Sequence, residues 1–143
     1  MTMTISRISL SAALLLIASP AHSAAPTFPI KGKPVRVLVG FAAGGSTDIQ
    51  ARLLQPRLAE ALGVPVIIEN KPGASTMLAA REVAHAEPDG HTLLYSFSGA
   101  FTQNPHTFAE VPYDPLRDFT PISLASRGPL ILVAHSSVPA SNV

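Results

Sequence analysis

Two rhythms of apolar residues alternate along the chain. Val35-Arg36-Val37-Leu38-Val39 is a short β-branched run with the composition of a strand. A loop of small residues follows over 40–45. Ser46 or Thr47 can then cap a helix, with Asp48 in its first turn. Ala51, Leu54, Leu58 and Ala61/Leu62 recur at helical spacing, and Gly63 can end the helix. Pro56 lies inside that run. It removes a hydrogen bond and crowds the carbonyl four residues back, which predicts a kink or break near Gln55.

The rhythm then repeats. Residues 64–68 read as a second strand and Asn70-Lys71-Pro72-Gly73 as a turn. Ser75 or Thr76 starts a second helix with an apolar stripe of Met77, Ala80, Val83 and Ala84. Pro88-Asp89-Gly90 stops it, and Asp-Gly suits a tight turn. Residues 92–96 are a third strand. Residues 97–118 read as loop with one short helix. Residues 122–126 and 130–135 are two further strand candidates, separated by Gly128-Pro129. The order β-α-β-α-β implies an α/β fold with a parallel sheet covered on both faces. In such sheets ligands sit beyond the carboxyl ends of the strands. Attention therefore falls on residues 41–48, 70–76 and 96–100.

The amino end departs from this pattern. Arg7 precedes an uncharged apolar run over residues 8–18, too short for the roughly 20 residues a membrane span takes. Pro20 breaks it, and Ala21-His22-Ser23 offers small residues for cleavage after Ser23. Residues 1–23 therefore read as a secretory signal peptide. Residues 24–143 read as an exported chain with no membrane span, placed in the periplasm. The chain ends at Ser136-Ser137-Val138-Pro139-Ala140-Ser141-Asn142-Val143 without a core element, which suggests a fragment or truncated reading frame.

Composition narrows the function. The 143 residues hold 10 Lys+Arg, 9 Asp+Glu and no Cys. Balanced charge argues against a nucleic-acid partner, which needs a basic face. A hydrophobic share of 47% argues against disorder. Without Cys there is no disulfide, no thiolate zinc site and no thiol nucleophile. Ser98 lacks the preceding glycine of a nucleophile elbow, because Ser96 stands there. His85, His91, His106 and His135 lack metal-ligand spacing and read as surface or loop residues. Asp114 and Asp118, flanking Arg117, read as turn caps or ion-pair partners. No catalytic residue, metal or cofactor emerges.

Gly44-Gly45-Ser46-Thr47-Asp48 is the sharpest motif. Paired glycines admit a ligand close to the backbone, and the helix behind them presents free N–H groups and a partial positive charge. That suits a carboxylate. A tight turn with a Ser/Thr cap explains the motif equally well. Glu69-Asn70-Lys71-Pro72-Gly73-Ala74-Ser75 reads as a turn, and a helix start there can face the same crevice. Ser96 and Ser98 read either as polar loop residues or as hydroxyl donors.

Phe41-Ala42-Ala43-Gly44-Gly45-Ser46-Thr47-Asp48, Arg52, Leu62-Gly63, Glu69 to Ala74, Pro88-Asp89-Gly90-His91-Thr92-Leu93 and Tyr113 to Ile122 occur in that order. Together they resemble the Bug family, the periplasmic solute-binding proteins of tripartite tricarboxylate transporters. The resemblance covers residues 28–143. It implies a parallel-sheet βαβαβ lobe of a periplasmic-binding-protein-like (Venus flytrap) fold about twice the mature length, with the second lobe missing here. It implies capture of a small carboxylate and delivery to a two-component membrane permease, and neither catalysis nor a cofactor.

Carried over by residue, Phe41 packs on the apolar part of the ligand. The backbone of Ala43, Gly44, Gly45 and Ser46 holds a carboxylate, partly through ordered water, with Asp48 closing the loop. Gly73, Ala74 and Ser75 supply the second loop, and Ser96 and Ser98 the third. Family members usually carry another glycine where this chain has Ser75-Thr76, and their helix is continuous where this one has Pro56. The readings from other classes are a truncated fragment without ligand function and a secreted α/β enzyme.

Overall fold

The computed structural model describes residues 27–128 and 131–139; the expected leader, residues 1–23, lies outside them. Three strands, β1 (Val35–Val39), β2 (Val66–Asn70) and β3 (Thr92–Tyr95), form a parallel sheet in the order β2-β1-β3. Val35 pairs with Val66 and Arg36 with Thr92 at one end, and Val39 with Asn70 and Tyr95 at the other. Helix α1 (Ser46–Leu62) joins β1 to β2, and helix α2 (Met77–Ala84) joins β2 to β3. The second connection crosses back over β1. Crossovers of one hand that run in opposite directions place their helices on opposite faces.

The packing agrees. Val35, Val37, Val64 and Val66 cluster with Ala59 and Leu62 of α1. Met77 and Ala80 of α2 cluster with Leu94, Tyr113 and Phe119. Alternation along β1 turns Arg36 toward α2, where its guanidinium meets Glu69 at 2.7 Å and Glu82 at 2.9 Å. Leu38 and Val35 are fully buried, as a strand covered on both faces requires.

The α/β class and the βαβαβ order follow the apolar rhythm, and several boundaries move. β2 starts two residues later than the composition implies. Pro65 has no N–H to give to a ladder, and its carbonyl instead accepts from the Val35 N–H at 2.8 Å. The strand then runs through Glu69 and Asn70, which Arg36 and Val39 hold in register. α1 begins at Ser46 with Gly45 as its cap residue, so neither Ser46 nor Thr47 is the cap. It also runs unbroken through Pro56. Pro56 and Arg52, whose carbonyl loses its partner, both lie on the exposed side, where water replaces the missing bond. Leu54 and Leu58 belong to the predicted stripe yet remain 36% and 38% exposed; Ala51, Ala59 and Leu62 make the contact.

Residues 97–118 hold two short helices rather than one, α3 (Gly99–Thr102) and α4 (Asn104–Thr107). Asp114 and Asp118 cap a turn: Asp114 accepts from the Leu116 N–H at 2.9 Å, and Asp118 from the Asp114 N–H at 2.7 Å. Residues 122–126 and 131–135, expected as strands, form none; residue 130 is outside the description. Apolar composition suits a strand, but a strand exists only through a ladder partner, and these residues pair with no described strand. Ile122, Ile131, Leu132 and Val133 are each more than three-quarters exposed. The 143-residue chain is therefore expected to bind ANS and to self-associate, because exposed contiguous apolar surface favours association. Dye fluorescence with light scattering checks this. A dye-silent monomer is the contrary result.

Candidate functional site

In a sheet ordered β2-β1-β3 the direction of winding reverses between β1 and β3. The crevice beyond the carboxyl ends of those strands is where α/β sheets place ligands. Three loops meet at this end. Residues 40–45 follow β1, residues 71–76 follow β2, and residues 96–98 follow β3.

Buried Gly40 joins the first loop to the second. A Cβ at Gly40 would lie 2.4 Å from Thr76 Cβ, so the two backbones approach as closely as glycine allows. Asn70, at the end of β2, reinforces the join. Its Nδ2 donates to the Phe41 carbonyl at 3.0 Å and to Asp48 Oδ1 at 2.9 Å, and its Oδ1 accepts from Arg52 at 3.0 Å. The Lys71 N–H donates to the Val39 carbonyl at 2.8 Å. Both amide protons of Asn70 and its side-chain oxygen are thus engaged.

Asp48 is buried in α1, one turn from its start. Its carboxylate accepts from Arg52 Nε at 3.0 Å, from the Gly44 N–H at 2.8 Å and from Asn70. Those donors, Arg52 first, hold its carboxyl down at about 2. Asp48 thus braces the loop from behind. Arg52 is occupied by Asp48 and Asn70, so what faces outward from this loop is the uncapped start of α1 with its partial positive charge.

Ala43, Gly44, Gly45 and Ser46 are exposed at that start, and Phe41 is half-buried. Gly44 sits at φ +83°, where a side chain is strained. In the second loop Gly73, Ala74 and Ser75 are exposed and Thr76 is buried. Ala74, Ser75 and Thr76 all have positive φ, with Thr76 at 71°. This is a left-handed run on side-chain-bearing residues, which costs roughly 1–2 kcal/mol each. The Thr76 hydroxyl has no hydrogen-bond partner among the described residues.

In the third loop Ser98 is exposed, and the Ser96 hydroxyl is buried without a partner among the described residues. Phe97 meets Phe41 edge-to-face at 5.5 Å across the switch point. Gly99 makes room for that ring, since a Cβ there would fall 2.1 Å from it. Buried Asn104 donates to the Ser75 carbonyl at 2.9 Å and to the Tyr113 hydroxyl at 3.3 Å; that hydroxyl donates to the Ala100 carbonyl at 2.6 Å. The second and third loops are tied together in this way.

The structure brings the three loops singled out in the sequence to one end of the sheet. It separates their residues into an exposed set (Ala43, Gly44, Gly45, Ser46, Gly73, Ala74, Ser75, Ser98) and the bracing carboxylate of Asp48. Sequence reasoning missed Asn70, Thr76, Phe97 and Asn104. An aromatic residue directly after β3 was a readable signal for Phe97; the others act through contacts distant in the chain. Among the described residues no three of His, Cys, Asp and Glu gather as a metal site, and no helix is long and apolar enough to cross a membrane.

Comparison with known proteins bears on this end of the molecule. Residues 50–143 match the family described as tripartite tricarboxylate transporter family receptor. The chain is 44% identical over 133 residues to a UPF0065 protein of Bordetella pertussis, covering 92% of this chain and 39% of that protein. Among solved structures it is similar to the periplasmic binding protein BugD, with 36% identity and a TM-score of 0.59, over 65% of this chain and 31% of that one. It is also similar to MatC from Rhodopseudomonas palustris with bound malate, with 42% identity and a TM-score of 0.56, over 67% and 33%. The chain thus spans about two fifths or less of the length of these relatives.

Proposed function

This chain belongs to the tripartite tricarboxylate transporter receptor family, and from that membership we propose that its three-loop end receives a small carboxylate. The observation that carries the reading is the convergence of three glycine- and serine-bearing loops at the β1/β3 switch point, around an uncapped helix start. The exposed backbone of Ala43, Gly44, Gly45 and Ser46 offers N–H groups to the carboxylate. Phe41, backed by Phe97, covers the apolar part of the ligand. Gly73, Ala74, Ser75, Ser96 and Ser98 line the neighbouring walls, and Asp48 holds the first loop in shape. Malate bound to a relative of 42% identity supports a carboxylate of that size.

Residues 1–23 act as a leader in this proposal. Residues 24–143 form the N-terminal part of the first solute-binding domain, working in the periplasm as a receptor for a two-component permease and not as an enzyme. The exported protein is expected to begin at Ala24 on N-terminal sequencing; a retained Met1 contradicts the leader.

The binding experiment is calorimetry with malate and related dicarboxylates on the wild type and on Gly45→Val. Gly45 has φ −73°, which valine adopts without strain, so the variant folds. Its side chain meets only the Ala42 carbonyl, at 3.3 Å, and otherwise intrudes where the ligand backbone contact belongs. Affinity is expected to fall by roughly 1–3 kcal/mol, the scale of a lost buried hydrogen bond. Unchanged affinity in folded Gly45→Val moves the site elsewhere.

A further inference from the structure

A second buried cluster lies at the amino ends of the strands, at the opposite end of the sheet from the loops. His91, just before β3, is 1% exposed, although its sequence context reads as surface or loop. Its Nε2 lies 3.0 Å from the backbone nitrogen of Ile30, and its Nδ1 lies 3.1 Å from the carbonyl oxygen of Pro34. A backbone N–H only donates, so Nε2 must offer its lone pair. A carbonyl only accepts, so Nδ1 must carry the proton. The two partners together select the neutral imidazole and a single tautomer.

Both partners belong to residues 28–34, the segment that leads into β1. The Phe28 ring stands edge-on to His91 at 5.3 Å and lies against Gly90, where a Cβ would come within 2.8 Å of it. Lys33 of the same segment pairs with Asp89 and lies 3.6 Å from Glu87. Asp89 also accepts the backbone N–H of His91 at 2.9 Å. The charged groups facing His91 are therefore Lys33 on the segment, Asp89 and Glu87 on the turn before β3, and Arg36 on β1. With His91 they line one cavity of about 350 Å³.

We propose that His91 is an acid-released clasp: its neutral imidazole fastens residues 28–34 to the foot of the sheet, and protonation at Nε2 frees that segment. Imidazole is the side chain that changes charge between about pH 5 and 8. A proton on Nε2 replaces an acceptor with a second donor facing the Ile30 N–H. The hydrogen bond is lost and two N–H dipoles oppose each other in a buried place. Movement of the segment away from His91 relieves the opposition and admits water to the cation. β1 and the carboxyl-end loops are held by the sheet ladder and by Asn70, so release is local. The clasp concerns neither the ligand nor the loops that bind it.

Amide hydrogen exchange on the full chain, at about pH 7.5 and about pH 5 and corrected for intrinsic exchange, tests the clasp. The Ile30 amide is expected to lose protection about tenfold or more at the lower pH, as the loss of one hydrogen bond implies, while Val37 and Leu38 keep theirs. His91→Gln keeps an acceptor for Ile30 but cannot titrate, so its Ile30 protection should not change with pH. A fall in His91→Gln equal to the wild type would assign the effect to Lys33, Asp89 and Glu87 and overturn the proposal. So would a parallel fall at Val37, or no fall at Ile30. Nitrogen-15 shifts of the wild-type ring at the higher pH give an independent check: the proton must sit on Nδ1, and an Nε2–H tautomer contradicts the clasp.

Discussion

Gly40→Ala is expected to destabilise the chain by about 2–3 kcal/mol, the upper end of the range for an added core methyl. The new Cβ would stand 2.4 Å from Thr76 Cβ and 2.9 Å from Thr76 Cα. No side-chain rotation relieves a contact with those two atoms, so β1 and the second loop must separate. They cannot do so cheaply, because Gly40 follows the fully buried Val39 and Thr76 precedes the buried Met77. A domain stable by about 5–15 kcal/mol loses a large fraction of that margin. Urea unfolding measures the change. Thr76→Gly removes the opposing Cβ and suits the φ of 71° there, so the double variant should recover most of the loss. Additive single effects in that cycle would show that the two backbones do not press on each other.

The same pair marks where sequence reading reached and where it stopped. β1 was legible because five consecutive apolar or β-branched residues suit a strand covered on both faces, and Arg36 near its start finds Glu69 and Glu82. The three loops were legible because a parallel sheet places ligands at the carboxyl ends of its strands, whatever the side chains. Contacts between loops were not. Thr76 looks like a helix cap in sequence and is instead a buried left-handed residue, because Gly40 leaves room for it alone. Asn70 sits in a string with the composition of a turn; a ladder partner at Val39 makes it the last residue of a strand. His91 follows Asp-Gly, which reads as an exposed turn, yet Ile30 and Pro34 bury it from 57 or more residues away. Residues 122–126 show the converse. Their composition suits a strand, but no described strand pairs with them.

Asn70→Asp is expected to cost about 2–3 kcal/mol at neutral pH, the scale of two donated hydrogen bonds replaced by opposed acceptors. The substitution keeps the shape and changes two protons. Asn70 now gives one proton to the Phe41 carbonyl at 3.0 Å and one to Asp48 at 2.9 Å. A carboxylate there would face an acceptor on one side and a second carboxylate on the other. Asp48 is the poorer candidate to take up a proton, since Arg52 and the Gly44 N–H hold its carboxyl at about 2. The introduced group must therefore bind the proton, and its folded-state value rises above its unfolded one. A group raised in this way destabilises the fold only above its unfolded value, near about pH 4, and increasingly as pH climbs through the folded value. The defect should accordingly shrink to about 1 kcal/mol near about pH 4, where one of the two donors is restored. Urea unfolding of both proteins at the two pH values measures it, and the Gly44 amide should exchange faster in the variant at neutral pH. A defect of equal size at both pH values would mean that Asn70 contributes its shape alone, and that the first loop is held without its two protons.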